Sequence, residues 1–357
     1  MSTPNLRSKN QDTFVESRSH RRRYLLPVFL IALALFLLFL PAIVVNSPLK
    51  QVALDYATAD IDGVVKVENI SAGWLSPIEL TNLKIHDRDQ QEIASVESIR
   101  SSQTLFGFLT GKEYGTFEIN RPAVDLIVRN DGSNLEDALA KFINADSTDS
   151  DTSLPQVEVK IVDGNFRVRS TALSQAGVFD KFNANIRVMS DQNPIAGELQ
   201  MRSSVEGQQS GILRMNFQVD EGQTELKTEN IAATIDAEQF PLASIAPVLN
   251  RIIGPSNCGG IIDSQFSIAM DTAKGSLDAN VQKFTGSQIA VKAPELIGDD
   301  QFAANFINAT GEIHLNSQHT SARDFKIESE FAKLTANGEF DFEQLAQLSS
   351  GNELPVA

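Results

Sequence analysis

Four histidines, one cysteine and a surplus of carboxylates are the side chains from which this sequence could build a catalytic or metal site. Nucleophilic catalysis needs a base within hydrogen-bond reach of the nucleophile, and zinc needs several N, O or S ligands converging on one point. His20 and His86 stand far from each other and from Cys258, and only His314 and His319 are near neighbours. Those two sit five apart in a strand-and-turn stretch, not at the spacing that puts two imidazoles on one helix face. Surface or hydrogen-bonded histidines account for them. Asp60-Ile61-Asp62-Gly63 begins like a calcium loop, but the ligands that should follow are absent. Gly254 to Gly260 (GPSNCGG) is glycine-rich yet opens a strand, so it reads as a turn and not as a phosphate cradle. No nucleophile elbow or HExxH motif occurs. The acidic residues lie in turns and on the polar phase of strands, where a solvated face puts them. A hydrolase would need two of them to converge in a pocket, and no spacing specifies that. The sequence therefore predicts no catalysis, no metal and no cofactor.

What remains to carry function is apolar surface at period two. Val157, Val159 and Ile161 share one phase, and Leu213, Met215, Phe217 and Val219 alternate with Arg214, Asn216, Gln218 and Asp220. Such alternation specifies strands with one apolar and one wet face. These seven residues are the candidate contacts for an acyl chain.

The elements that position them are mainly strands. They are expected at Val64 to Ser71, Ile78 to His86, Glu92 to Arg100, Thr116 to Ile119, Ala123 to Arg129 and Asn183 to Met189. More follow at Ile195 to Arg202, Thr228 to Asp236, Ile261 to Met270, Ala279 to Phe284, Gln288 to Lys292, Phe306 to Leu315 and Phe325 to Phe331. A change of phase near Thr81-Asn82 predicts a bulge that bends the sheet. Asp163-Gly164-Asn165 predicts a turn, and Asn337-Gly338 predicts a hairpin. Helices are expected over Ser47 to Thr58, Leu135 to Phe142 and Pro241 to Ile252, the last with Leu242, Ile245, Ala246 and Leu249 as its apolar stripe. Trp74 is expected to plug the membrane-proximal end of the sheet. Few helices are left to cover the apolar faces, so the expected fold is an elongated, curved antiparallel sheet, a groove with its apolar side inward.

Tyr24 to Val45 carries 22 residues without a charge, enough to cross a hydrocarbon core of roughly 30 Å at about 1.5 Å per residue. No small-x-small cleavage site follows, which favours an uncleaved anchor over a signal peptide. Arg18, Arg21, Arg22 and Arg23 abut this run, and the positive-inside rule then keeps the N-terminus cytoplasmic. The tail of residues 1–23 has six basic and two acidic residues, net +4, which leaves −20 of the formal −16 to the rest. A body so acidic offers no basic stripe for nucleic acid. A single cysteine forms no intramolecular disulfide. The organisation expected is a basic tail (1–23), an anchor (24–45), a membrane-proximal β-rich region (46–143), an acidic linker (144–155) and a second β-rich region (156–357).

An internal echo supports a repeated unit: Ile235-Asp236-Ala237-Glu238-Gln239-Phe240 resembles Phe340-Asp341-Phe342-Glu343-Gln344-Leu345, offset by 105 residues. The order of anchor, amphipathic helix, Gly73-Trp74-Leu75-Ser76-Pro77-Ile78-Glu79-Leu80-Thr81-Asn82-Leu83, Glu97-Ser98-Ile99 and Leu105-Phe106-Gly107-Phe108-Leu109 resembles the opening of bacterial AsmA-like and TamB-like envelope proteins. Phe240-Pro241-Leu242-Ala243-Ser244-Ile245-Ala246-Pro247-Val248-Leu249 followed by Gly259-Gly260-Ile261-Ile262-Asp263 is similar to the repeats of that superfamily. The resemblance implies an inner-membrane anchor, a periplasmic body and a β-groove that moves phospholipid between membranes, with other envelope proteins as partners. It brings no catalytic residues. An alternative is an anchored interaction module whose body is a closed β-sandwich taking part in outer-membrane assembly. The body is short for a bridge, so a shortened member of the superfamily is expected.

Overall fold

The computed structural model describes residues 20–111, 113–143, 156–171, 176–189, 195–205, 210–221, 229–254, 256–298, 300–316 and 319–341. Period-two segments of up to 17 residues fold into fifteen strands of one sheet. They are β1 (Val64–Ser71), β2 (Pro77–His86), β3 (Glu92–Thr104), β4 (Glu113–Arg129), β5 (Gly132–Ser133), β6 (Gln156–Ser170), β7 (Gly177–Val188) and β8 (Ile195–Val205). Then come β9 (Gly211–Glu221), β10 (Glu229–Pro241), β11 (Asn257–Asp271), β12 (Ser276–Lys292), β13 (Phe302–Leu315), β14 (His319–Ser329) and β15 (Lys333–Asp341). Each strand pairs antiparallel with its neighbour in the chain, apart from a parallel junction between β4 and β6; the two-residue β5 pairs only with β4. The sheet is open, and among the described residues no second sheet lies against it. The segment expected as a linker, 144–155, lies outside the described residues, and the strands on either side of it pair with each other.

Several turn signals proved to lie inside strands. Asp163-Gly164-Asn165 does not turn the chain, because β6 runs through it with Asp163 at φ 56°. Asn337-Gly338 is likewise internal to β15, with Gly338 at φ 148°, and the β14–β15 hairpin closes instead at Ser329, whose N–H donates to the Ala332 carbonyl. The expected pairs of strands within 116–129 and 279–292 are single strands, β4 and β12, interrupted at Arg121 (φ 48°) and Gln288 (φ 53°). Together with Asn82 (φ 52°), Lys181 (φ 50°) and Gln239 (φ 48°), these residues mark a crease across the sheet that resumes at Gly311, Asp324 and Gly338. Register slips accompany it, as between Ala237 and Phe240 and between Asp180 and Asn183. At Thr81-Asn82, where a bulge is expected, Asn82 has a positive φ, but the pairing with β1 and β3 runs through it without a register shift. A left-handed residue frees a backbone N–H from the ladder, and neighbouring side chains accept it. Asn183 Oδ1 accepts from Asp163 N (3.1 Å), Asp263 Oδ1 from Gln239 N (2.9 Å) and Asn337 Oδ1 from Asp324 N (2.6 Å).

The main buried cluster lies at one end of the strands. Val128, Val168, Phe179, Ala237 and Phe240 form it, with Phe166, Met201, Leu213, Ile245 and Ile262 packed against them. The helix expected over Pro241 to Ile252 divides into a 3-10 turn, Leu242–Ser244, and a helix, Ala246–Ile253, that together plug this end. Ser203 and Ser244 are fully buried where the plug meets β8. The Ser203 hydroxyl donates to Ser244 Oγ (2.7 Å), which donates to the Pro241 carbonyl (2.7 Å), so no polar atom of the pair is orphaned. Leu135 to Phe142 is two short helical pieces, Asn134–Ala138 and Ala140–Ile143, and Ser133 Oγ caps the first by accepting from Glu136 N at 3.1 Å. Arg251 Nη1 meets Glu136 Oε1 at 2.5 Å, tying that piece to the plug.

The N-terminal apolar run lies in helix α1 (His20–Val45), which is followed by α2 (Leu49–Ala57). Among the described residues no single helix is long and apolar enough to cross a membrane. Leu35–Val45 and Leu49–Ala57 meet that test only as a pair bent by 79°. The single uninterrupted span expected at Tyr24 to Val45 is therefore not established by the fold. Residues 1–19, including Arg18, lie outside the described residues, as do the side chains of Arg21, Arg22 and Arg23.

Candidate functional site: an uncovered apolar face

Register decides which side chains share a face. Val159 on β6 is in line with Ile186 on β7, Gly197 on β8 and Phe217 on β9. Ile161 is in line with Ala184, Leu199 and Met215, and Val157 with Val188, Ile195 and Val219. Six of the seven residues picked from the sequence thus fall into three adjoining rows of one face. Leu213, one step further along β9, belongs to the edge of the buried core. Phe217 lies over Gly197, where an added Cβ would come within 2.5 Å of the ring.

The rows extend well beyond these residues. One runs Ile70, Leu80, Ile99, Ile119, Ile161, Ala184, Leu199, Met215, Ile235, Phe266 and Val281, a single apolar residue on each strand from β1 to β12 apart from the two-residue β5. All are half-buried except Ala184, which is buried. Side chains in a closed sandwich core would be buried throughout, so partial exposure of nearly a whole row is the mark of a face with nothing over it. Most of these residues show the same alternation as the seven and were available to the same reasoning. Their rank in one row needed the pairing register.

The opposite face is laced with directly paired charges. Arg100 sits across from Glu79 (3.1 Å), Arg202 from Asp180 (2.6 Å) and Arg214 from Asp236 (3.6 Å), and the His314 ring is hydrogen-bonded to Asp278 across its own ladder (2.5 Å). Glu158 accepts from the Thr116 hydroxyl (2.9 Å), and this bond, with Lys160 nearby, holds its carboxyl below the usual glutamate range. Two hollows open on this polar side. One, of about 770 Å³, is lined by Asn216, Thr234, Asn280, Glu312 and His314 among others. On β14 it touches Ser321 and Arg323 but not Ala322 between them, which places it on the polar face. The second, of about 650 Å³, lies between Lys160, Asn185, Glu198 and Arg214. The expectation of a groove with its apolar side inward is thus corrected in part. The sheet wraps its apolar side around the plug at one end, while these two hollows belong to the charged side.

The His314 and His319 rings lie with centroids 5.7 Å apart and planes tilted by 38°, joined by Asn316. Among the described residues no group of three or more His, Cys, Asp or Glu side chains is placed to hold a metal ion. Asp62 of the D-x-D-G segment is instead paired with Arg88, which lowers its carboxyl pKa. Cys258 is buried, and burial raises its thiol pKa.

Near α1 the surface is apolar again. Trp74 Nε1 donates to the Leu37 carbonyl of α1 at 2.7 Å, and the Gly73 and Trp74 carbonyls accept from Leu105 N and Phe106 N at the start of the short helix α3 (Leu105–Thr110). Leu75 is 83% exposed, Leu109 74% and Phe106 55%. Trp74 therefore joins the loop to the helix and leaves a collar of bare apolar side chains.

Among the described residues the architecture is that of a single-sheet, mainly β protein with one uncovered apolar face. Comparison with protein-family models and with curated proteins finds no match.

Proposed function

We propose that this chain is a membrane-anchored, non-enzymatic lipid-handling protein whose uncovered apolar face receives acyl chains, as its resemblance to AsmA-like and TamB-like envelope proteins implies. The observation that carries the reading is the half-buried apolar row on successive strands. An apolar ligand is the cover such a face calls for, at about 25 cal/mol for each Å² removed from water. The acyl chains of a phospholipid supply that cover, with their headgroup left at the rim.

Anchoring belongs to the same proposal. α1 carries the uncharged run from Tyr24 to Val45, and the collar of Leu75, Phe106 and Leu109 beside it suits the interface of a bilayer. The arginines at 18 and 21–23 set the N-terminus in the cytoplasm of a bacterium and the body in the periplasm. Lipid extracted from the purified full chain and weighed by mass spectrometry tests the reading. Bound phospholipid that falls several-fold in a folded Phe217→Asp variant is expected, and a lipid-free preparation would refute it.

The interaction-module alternative finds less support, because it rested on a closed sandwich and the described strands make one open sheet.

A further inference from the structure

An open sheet has two edges, and here they differ. At one end, β1 lies beside α2, and Lys50 Nζ reaches across to donate to the Glu68 carbonyl at 3.2 Å. At the other end β15 pairs with β14 on one side and, among the described residues, with nothing on the other. Apolar side chains are bare beside it: Leu334 is 54% exposed and Phe331 60%, with Phe331 edge-on to Phe302. Soluble edges are commonly blunted by a covering element, a proline or charged side chains; β15 (KLTANGEFD) has no proline, and its charged residues, Lys333, Glu339 and Asp341, stand toward its two ends.

The order of residues along this strand is complementary to itself. Laid antiparallel against a second copy about Asn337, β15 sets Lys333 opposite Asp341, Thr335 opposite Glu339, Leu334 opposite Phe340 and Ala336 opposite Gly338. By register, the alternate positions of one face then hold Lys333 opposite Asp341 and Thr335 opposite Glu339, and those of the other hold Leu334, Ala336, Gly338 and Phe340, a pattern that cross-strand pairing rewards; within its own chain Lys333 lies 3.7 Å from Glu328. The same register brings the Asn337-Gly338 crease of one copy beside that of the other, so the fold line continues unbroken. We propose that the chain self-associates through the free edge of β15, two copies pairing about Asn337 into one sheet with a continuous apolar face. At a strand spacing of about 4.8 Å, the fourteen-strand path of one chain covers about 60 Å and the joined pair about 130 Å. The contact doubles the apolar track, and it holds or fails independently of whether lipid occupies that track.

Sedimentation of the full chain in detergent tests it, with a monomer–dimer equilibrium expected. Lys333→Glu places like charges together at two symmetric positions and should weaken the dimer about tenfold. Adding Asp341→Lys to it should restore association. As a second readout, copies carrying Lys333→Cys mixed with copies carrying Asp341→Cys should form an intermolecular disulfide that neither gives alone. The native Cys258 is buried and contributes no background. A chain that stays monomeric at all concentrations overturns the proposal, whether the edge is bare or residues 342–357 fill it. So does a dimer indifferent to Lys333→Glu, or a cross-link that forms equally well without mixing.

Discussion

Phe217 and Phe240 carry the same ring in opposite surroundings. Phe240 is 3% exposed in the core, whereas Phe217 is half-buried on the open face. A carboxylate at Phe240 would leave a cavity and an unpaired charge, and Phe240→Asp should cost about 4 kcal/mol or more. Phe217→Asp should cost about 1 to 2 kcal/mol, since only part of the ring leaves an apolar setting. Thermal unfolding followed by circular dichroism separates the two; equal losses would mean that the face is covered after all. Charge at single residues also sets the acid limit. Glu158 is held low by the Thr116 hydroxyl, Glu92 by Lys84, Asp62 by Arg88, Asp271 by Lys274 and Glu330 by the Asn305 N–H. A carboxylate whose folded pKa is depressed stabilises the fold fully above its unfolded value, near 4, and loses that effect as pH falls through the folded one. The melting temperature should therefore be level from pH 7 to about 5 and fall below about pH 4. A melting temperature unchanged at pH 2 to 3 would contradict these pairings.

At the scale of elements, the plug and the crease give the sheet its form. Gly177 on β7 lies directly under the plug, where an added Cβ would sit 2.0 Å from the Ser244 carbonyl oxygen. Backbone on both sides cannot yield cheaply, so Gly177→Ala should cost about 2 kcal/mol in urea unfolding. At Gly259 an added Cβ meets nothing within 4 Å, and Gly259→Ala should be close to neutral. Strand existence was legible in the sequence because alternation is a local property: β1 was expected with the bounds it has, and β2, β3 and β8 within a few residues. The crease was not. Asp163-Gly164-Asn165 and Asn337-Gly338 have the residue types that tolerate positive φ, and those types serve a hairpin turn and an in-strand bulge equally well. Only the neighbouring strands decide between them, since Asn183 and Asn337 accept the N–H groups that the bulges release. Similarly, the seven candidate contacts were recognisable by phase, while their union into rows depends on β7 and β8 lying between β6 and β9. Of the second copy of the internal echo, Phe340 and Asp341 close β15 and the other four residues lie outside the described residues.

For the whole molecule, the sheet has two unlike faces and two unlike edges, with helices α1 and α2 at the β1 end. The polar face satisfies itself through cross-strand ion pairs, each worth little alone at this exposure. Among the described residues the apolar face has no such internal partner over most of its area, and that asymmetry is the basis for proposing that it receives lipid. A photo-crosslinking amino acid placed at Met215 or Phe217 reports on one face, and at Asn216 or Gln218 on the other, within a single strand. Irradiation in cells followed by mass spectrometry of the purified chain should give phospholipid adducts from 215 and 217 and few or none from 216 and 218. Adducts at equal yield from all four positions, or from the polar pair alone, would contradict the assignment of the apolar face as the lipid-bearing surface.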